Sequence, residues 1–141
     1  MKSLSQHLVQ QGASGELQKL FALLAESVKD IAQIIETGRM TGYSGTENVF
    51  GEQQLKLDVA TNDLLVERLK ACPLVSNLAS EELDNEISCQ DGGKFSVAFD
   101  PLDGSSLVDV NFSVGSIFGI YPGKGFMART PGEMVAAAIA V

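Results

Sequence analysis

The sequence predicts a layered α/β fold, and three observations carry that expectation. Helical periodicity dominates the first half of the chain, short apolar runs of strand character replace it after Pro73, and acidic clusters stand where those runs end. A helix or a sheet alone leaves one apolar face in water, so helices followed by strands imply helices packed on a sheet.

The first element covers residues 15–37. Leu17, Leu20, Phe21, Leu24, Val28, Ile31 and Ile35 fall on one helical face. Ser14 stands where an N-cap is needed, and Gly38 where a helix-ending glycine belongs. Gly38 to Gly51 is rich in Gly, Ser, Thr and Asn and reads as a loop. A second helical pattern runs from about Asp58 to Ala71 through Leu64, Leu65 and Leu69, and Pro73 stops it. Leu74 to Ala79 then reads as a strand that delivers Ser80-Glu81-Glu82. Phe95 to Phe99 is a second strand leading into Asp100-Pro101, and Gly115 to Tyr121 a third, followed by a turn at Pro122 to Gly125. Pro131-Gly132-Glu133 has the form of a helix start, with Met134 to Val141 as its uncapped apolar continuation. A helix left open in this way leads us to expect a chain cut short.

The 141 residues, 45% apolar with mean hydropathy +0.12, can bury a real core and do not belong to the disordered class. A net charge of -8 argues against nucleic acid or an anionic membrane as partner. No apolar stretch reaches spanning length, and the N-terminal segment lacks the apolar centre of a signal peptide. Cys72 and Cys89 match neither a metal-ligand spacing nor a disulfide framework. Reduced thiols in a cytoplasmic protein are therefore expected, with redox regulation through the pair as the alternative. His7, the only histidine, is expected at the surface, and Met127 and Met134 in packing.

The chemistry lies in the acidic clusters: Glu81-Glu82, the run from Asp100 to Ser106, and Asp58 with Glu52 upstream. Adjacent glutamates usually line a solvated face, and a lone pair of aspartates three apart is usually a turn. The run from Asp100 says more. Pro101 stiffens the backbone between two aspartates, so both carboxylates and the Leu102 carbonyl can aim at one point, as a hard cation such as Mg²⁺ requires. Gly104-Ser105-Ser106 can present backbone N–H groups to an anion. Metal ligands beside phosphate donors are what metal-assisted phosphoryl transfer needs. Two carboxylates about 4 Å apart repel by roughly 4 kcal/mol at an effective dielectric of 20, so such a cluster calls for cations or protons. Bound divalent ions would also let an acidic protein accept a phosphate ester.

These runs resemble class I fructose-1,6-bisphosphatase. The resemblance rests on Phe99-Asp-Pro-Leu-Asp-Gly-Ser-Ser106, Val114-Gly-Ser-Ile-Phe-Gly-Ile-Tyr121, Gly51-Glu-Gln-Gln-Leu-Lys-Leu-Asp-Val59, Thr61-Asn-Asp63 and Ala79-Ser-Glu-Glu82, in the family's order over nearly the whole chain. It implies the N-terminal half of the layered αβαβα sugar-phosphatase fold. It further implies Mg²⁺, with Mn²⁺ or Zn²⁺ as substitutes, held by Glu81, Asp100, Asp103 and the Leu102 carbonyl. Asp58 and Glu82 would act as the catalytic pair that takes a proton from the attacking water. Asp103 and the amides of Gly104, Ser105 and Ser106 would bind substrate, and Glu52 would belong to a mobile loop closing over the metals. The implied reaction is hydrolysis of the 1-phosphate of fructose 1,6-bisphosphate in gluconeogenesis, by a cytoplasmic homotetramer.

Leu107-Val108-Asp109 departs from the family's usual Asn-Ile-Asp and bears on fine specificity. Ser14-Gly15-Glu16 and Lys94-Phe95 partly resemble the family's AMP-inhibition site. A further carboxylate ligand and the sugar-binding residues lie, in the family, beyond the segment matched here, so this chain alone is expected to be inactive. Two alternatives stand beside the main reading: sedoheptulose-1,7-bisphosphatase or a dual-specificity enzyme, and a non-catalytic fragment.

Overall fold

The computed structural model describes residues 2–41, 47–110 and 113–141; the side chains at 39–41, 47–55, 107, 109 and 110 lie outside that description. In chain order the elements are helices α1 (Leu4–Gln10), α2 (Gly15–Thr41) and α3 (Glu47–Ala71), and strands β1 (Val75–Ser80), β2 (Ile87–Ser88), β3 (Phe95–Asp103), β4 (Gly115–Pro122) and β5 (Ala136–Ala140). Single 3₁₀ segments cover Ser105–Val110 and Pro131–Glu133. The expected layered α/β architecture is what forms.

α2 starts as its sequence dictates: the Ser14 hydroxyl accepts from the Leu17 N–H at 3.1 Å. Its apolar face and that of α3 bury Leu17, Leu20, Phe21, Leu24, Ile31, Leu65 and Leu69 against Val75, Leu78, Val97, Phe99, Phe118 and Ile120 of the sheet. Arg68 of α3 ties the helices together, donating to Ser27 and pairing with Asp30 of α2.

The sheet order is β2-β1-β3-β4-β5; β1 and β3 run parallel, and every other pair is antiparallel. Parallel neighbours need a long return, usually through a helix. Here β2 carries the chain back beside β1, and Gly92-Gly93 crosses beneath it to the other side. A Cβ on Gly93 would lie 2.3 Å from the Ser76 nitrogen and 2.4 Å from the Val75 carbonyl carbon, so only glycine allows the crossing.

Four expectations need correction. The loop expected over Gly38–Gly51 is largely helix: α2 continues to Thr41, α3 begins at Glu47, and residues 42–46 lie outside the described residues. Gly38 is not a helix stop. A Cβ there would meet Leu57 Cδ2 at 2.8 Å, so the glycine allows α2 and α3 to approach closely. The helix expected after Pro131 ends in one 3₁₀ turn, and Ala136–Ala140 becomes an edge strand on β4. An apolar run without a polar face has no helical period to defend, and pairing with β4 satisfies its backbone. Gly115 makes room: a Cβ there would lie 2.8 Å from the Ala140 carbonyl oxygen. The N-terminal segment, for which no element is expected from the sequence, forms α1 through a capping box between Ser3 and Gln6. Finally, Met127 is 89% exposed rather than packed, whereas Met134 does lie against Gly119. His7 is exposed, as expected.

Candidate functional site

Because β1 and β3 are parallel, their carboxyl ends reach the same edge of the sheet, Ser80 opposite Phe99. The ladder continues one residue further, with Glu81 N–H donating to the Phe99 carbonyl at 3.0 Å. Glu81-Glu82 and Asp100 therefore emerge side by side, from segments about twenty residues apart in sequence. A crevice at the carboxyl ends of strands is where α/β sheets bind ligands.

β3 carries a bulge at this point. Asp100 opposes Ile117 and Asp103 opposes Gly115, so three steps along β3 match two along β4. In a regular strand, residues three apart face opposite sides; the extra residue cancels that alternation. Pro101, which has no N–H to lose, occupies the bulge, and its carbonyl accepts from the buried Ser116 hydroxyl at 2.8 Å. Asp100 Oδ1 accepts from the Leu102 N–H at 3.0 Å, holding its carboxylate over the turn. Gly104 follows with φ +82°, a left-handed conformation natural to glycine, and starts the 3₁₀ segment.

α3 supplies the third side. Its buried face carries Leu65 and Leu69 at one end and Leu57, Asp58, Thr61 and Asn62 at the other. Leu57 packs with Leu102 and Val108 in a small second core directly beneath the acidic turn. The adjacent Asp58 thereby reaches the turn, and its Oδ2 accepts from the Ser105 hydroxyl at 3.3 Å. Asp58 Oδ1 is buried and has no hydrogen-bond partner among the described residues. Thr61 turns its hydroxyl back to the Leu57 and Asp58 carbonyls, at 2.9 and 3.1 Å.

The electrostatics follow from this crowding. Burial lifts the Asp58 carboxyl above its ordinary pKa and Glu81 adds to it, against the pull of the Ser105 hydrogen bond. Partial burial of the Glu82 carboxyl lifts it too, followed by the charge on Asp58, a hydrogen bond to Glu81, and the charges of Glu81 and Asp100. Asp100 is raised by burial and by Glu81, Asp103 and Asp58, while the Leu102 N–H opposes the rise. Carboxylates from three elements thus repel one another at one place. An oxygen-only donor set with an unpartnered buried carboxylate oxygen suits a hard cation. Among the described residues, no three acidic, cysteine or histidine side chains already stand in an ion-holding arrangement.

Asp58, Glu81, Glu82, Asp100 and Asp103 are therefore brought into one electrostatic neighbourhood, with Ser105 on Asp58. The Leu102 side chain is buried beneath them, Gly104 makes the turn, and Ser106 is exposed beside it. Glu52, expected in a loop, falls within α3, and its side chain lies outside the described residues. Away from this site, Lys94 Nζ pairs with Glu16 Oε1 across the region of partial resemblance to an AMP site.

Sequence reasoning missed Asn62 and Ser80 as parts of the site. Both are buried; the Ser80 hydroxyl donates to Asn62 Oδ1 at 2.7 Å and accepts from the Glu82 N–H at 3.2 Å. A signal was present. Asn62 precedes Leu65 and Leu69 by three and seven residues, on the face that must be buried.

By fold and site the chain is an α/β protein with an acidic cluster at the carboxyl ends of parallel strands. Comparison with known proteins specifies it further. The family described as "Fructose-1-6-bisphosphatase, N-terminal domain" matches residues 3–141. Relatives named class 1 fructose-1,6-bisphosphatase include one from Shewanella amazonensis, 50% identical over 125 residues, covering 86% of this chain and 39% of its own. Another, from Acinetobacter baylyi, is 45% identical over 139 residues, covering 95% of this chain and 43% of its own. Among solved structures, the Leishmania major fructose-1,6-bisphosphatase in holo form superposes with a TM-score of 0.77 at 30% identity, covering 98% of this chain and 47% of that one. A candidate sedoheptulose-1,7-bisphosphatase from Toxoplasma gondii superposes with a TM-score of 0.80 at 32% identity, covering 99% and 46%. The chain belongs to the fructose-1,6-bisphosphatase family and spans about two-fifths of the length of the curated relatives it matches. Among the described residues no helix is long and apolar enough to cross a membrane.

Proposed function

We propose that this chain provides the metal-binding and water-activating half of an enzyme hydrolysing the 1-phosphate of fructose 1,6-bisphosphate to fructose 6-phosphate and phosphate. The single observation that carries the reading is the gathering of Asp58, Glu81, Glu82 and Asp100 from three elements, close enough that Glu81 acts on Asp58, and Asp58, Glu81 and Asp100 on Glu82.

Glu81, Asp100, Asp103 and the Leu102 carbonyl would hold Mg²⁺, or Mn²⁺ or Zn²⁺ in its place. When bound, such ions neutralise phosphate oxygens and lower the pKa of water. Glu82 and Asp58 take the proton from the attacking water. Their raised proton affinity makes them stronger bases than isolated carboxylates. The Gly104–Ser106 turn receives the phosphate, with Ser105 steadied by Asp58. Glu52, about one and a half turns before Asp58 on α3, would be the further acidic residue that comes over the site. The working enzyme is a cytoplasmic homotetramer in gluconeogenesis, and the 141 residues alone are inactive.

The test joins these residues to the remaining length of the Shewanella amazonensis relative and measures phosphate release. Mg²⁺-dependent release is expected, and Asp100→Asn or Glu81→Gln should abolish it while circular dichroism stays unchanged. A folded chimera that releases no phosphate from any sugar bisphosphate sinks the reading. The likeness to the Toxoplasma gondii structure favours a second substrate, sedoheptulose 1,7-bisphosphate. Relative rates on the two sugars decide between them.

A further inference from the structure

We infer that Asn62 and Ser80 are positioning residues of this site, forming a buried relay through which α3 sets the Glu81-Glu82 turn and its distance from Asp58. The inference rests on the proposed reading that these carboxylates hold a divalent metal.

Asn62 is 7% exposed and Ser80 8%. Burying such polar groups costs about 1–3 kcal/mol each when a partner is missing, so their pairing matters. A serine hydroxyl has one proton. Ser80 gives it to Asn62 Oδ1, which leaves its lone pairs to accept from the Glu82 N–H. The acceptor on Asn62 thus fixes the direction of the whole relay, from the Glu82 amide through Ser80 to α3.

The relay also closes a ring. Asn62 stands four residues after Asp58, one helical turn along the same face. Asp58 in turn acts on Glu82 by its charge. From Asp58 the ring runs along one turn of helix to Asn62, across to Ser80, and through two residues of chain to Glu82. The neighbouring Glu81 N–H is held separately by the Phe99 carbonyl, next to Asp100. Two successive amides of the turn are therefore anchored to two different elements, one carrying Asp58 and the other Asp100. An apolar pair at 62 and 80 could fill the same space at little cost in stability, but it would leave the Glu82 amide without an acceptor.

The test titrates Mn²⁺ by calorimetry into the 141 residues joined to the remaining length of the Shewanella amazonensis relative, for the unsubstituted chimera and its Ser80→Ala, Asn62→Leu and Ser80→Thr variants. Outer-shell partners of metal ligands typically contribute ten- to a hundredfold in affinity. A loss of about that size is expected for Ser80→Ala and Asn62→Leu, with recovery in Ser80→Thr, which restores the hydroxyl. Folding is read separately by circular dichroism, and Asn62→Ala, which leaves room for water, replaces either variant that does not fold. Equal affinity in all folded variants overturns the positioning role and leaves the metal reading standing. An unsubstituted chimera that binds no Mn²⁺ overturns both.

Discussion

At the scale of the residue, the sign of the carboxyl shifts has a direct consequence. Asp58, Glu82 and Asp100 have native pKa values above the ordinary ones, so the folded chain holds these protons more tightly than the unfolded chain does. Their contribution to stability is complete below the ordinary carboxylate range, about pH 4, and is lost as pH rises through the native values. Without metal, Asp58→Asn and Asp100→Asn should therefore melt above the wild type at pH 7 and lose that advantage below about pH 4. Thermal melts across pH check this; a lower melting temperature for both variants at pH 7 would contradict it. The acidic residues were legible in the sequence because charge beside strand ends and glycine is conspicuous. Asn62 and Ser80 were not. A polar residue in a helix or strand usually faces solvent, and the face Asn62 shares with Leu65 and Leu69 hints at its burial without naming its partner Ser80, eighteen residues away.

At the scale of the element, the parallel alignment of β1 and β3 hangs on Gly93. Gly93→Ala places a Cβ inside the backbone of Val75 and Ser76, and a destabilisation above about 4 kcal/mol is expected. Gly92→Ala, with nothing within 4 Å and no positive φ, should stay within about 0.5 kcal/mol. Urea denaturation of the two variants separates them, and similar midpoints would show that the crossing is not tight. The sequence located α2, α3, β1, β3 and β4 because each carries a period or a short apolar run bounded by breakers. It misled at Ala136–Ala140, where an alanine-rich apolar run is compatible with either state and only the partner strand decides. It misled again at Gly38, because a glycine that ends a helix and one that lets two helices touch look alike until the second helix is in place.

At the scale of the whole molecule, eighteen acidic residues face ten basic ones, and a concentrated share of the excess lies in the cluster at the ends of β1 and β3. Salt should stabilise the chain by screening, but Mg²⁺ should do more at equal ionic strength. An ion bound only by the folded state adds about 2.7 kcal/mol at a hundred times its dissociation constant. Melting curves in MgCl₂ and in NaCl of matched ionic strength test this, and superimposable curves would exclude specific binding. The fold itself was legible at this scale, because layers follow from the order of helices and strands. The close meeting of the three acidic segments was not, since it depends on the bulge at Pro101 and on the direction of β3 beside β1. That direction also has a meaning in time. Val75 pairs with Phe95 across a closed stretch of chain, and parallel contacts of this kind form after local helices and hairpins. Every local element can be complete while Glu81 and Asp100 are still strangers, so a half-folded chain owns all of its acidic groups and none of their meeting place.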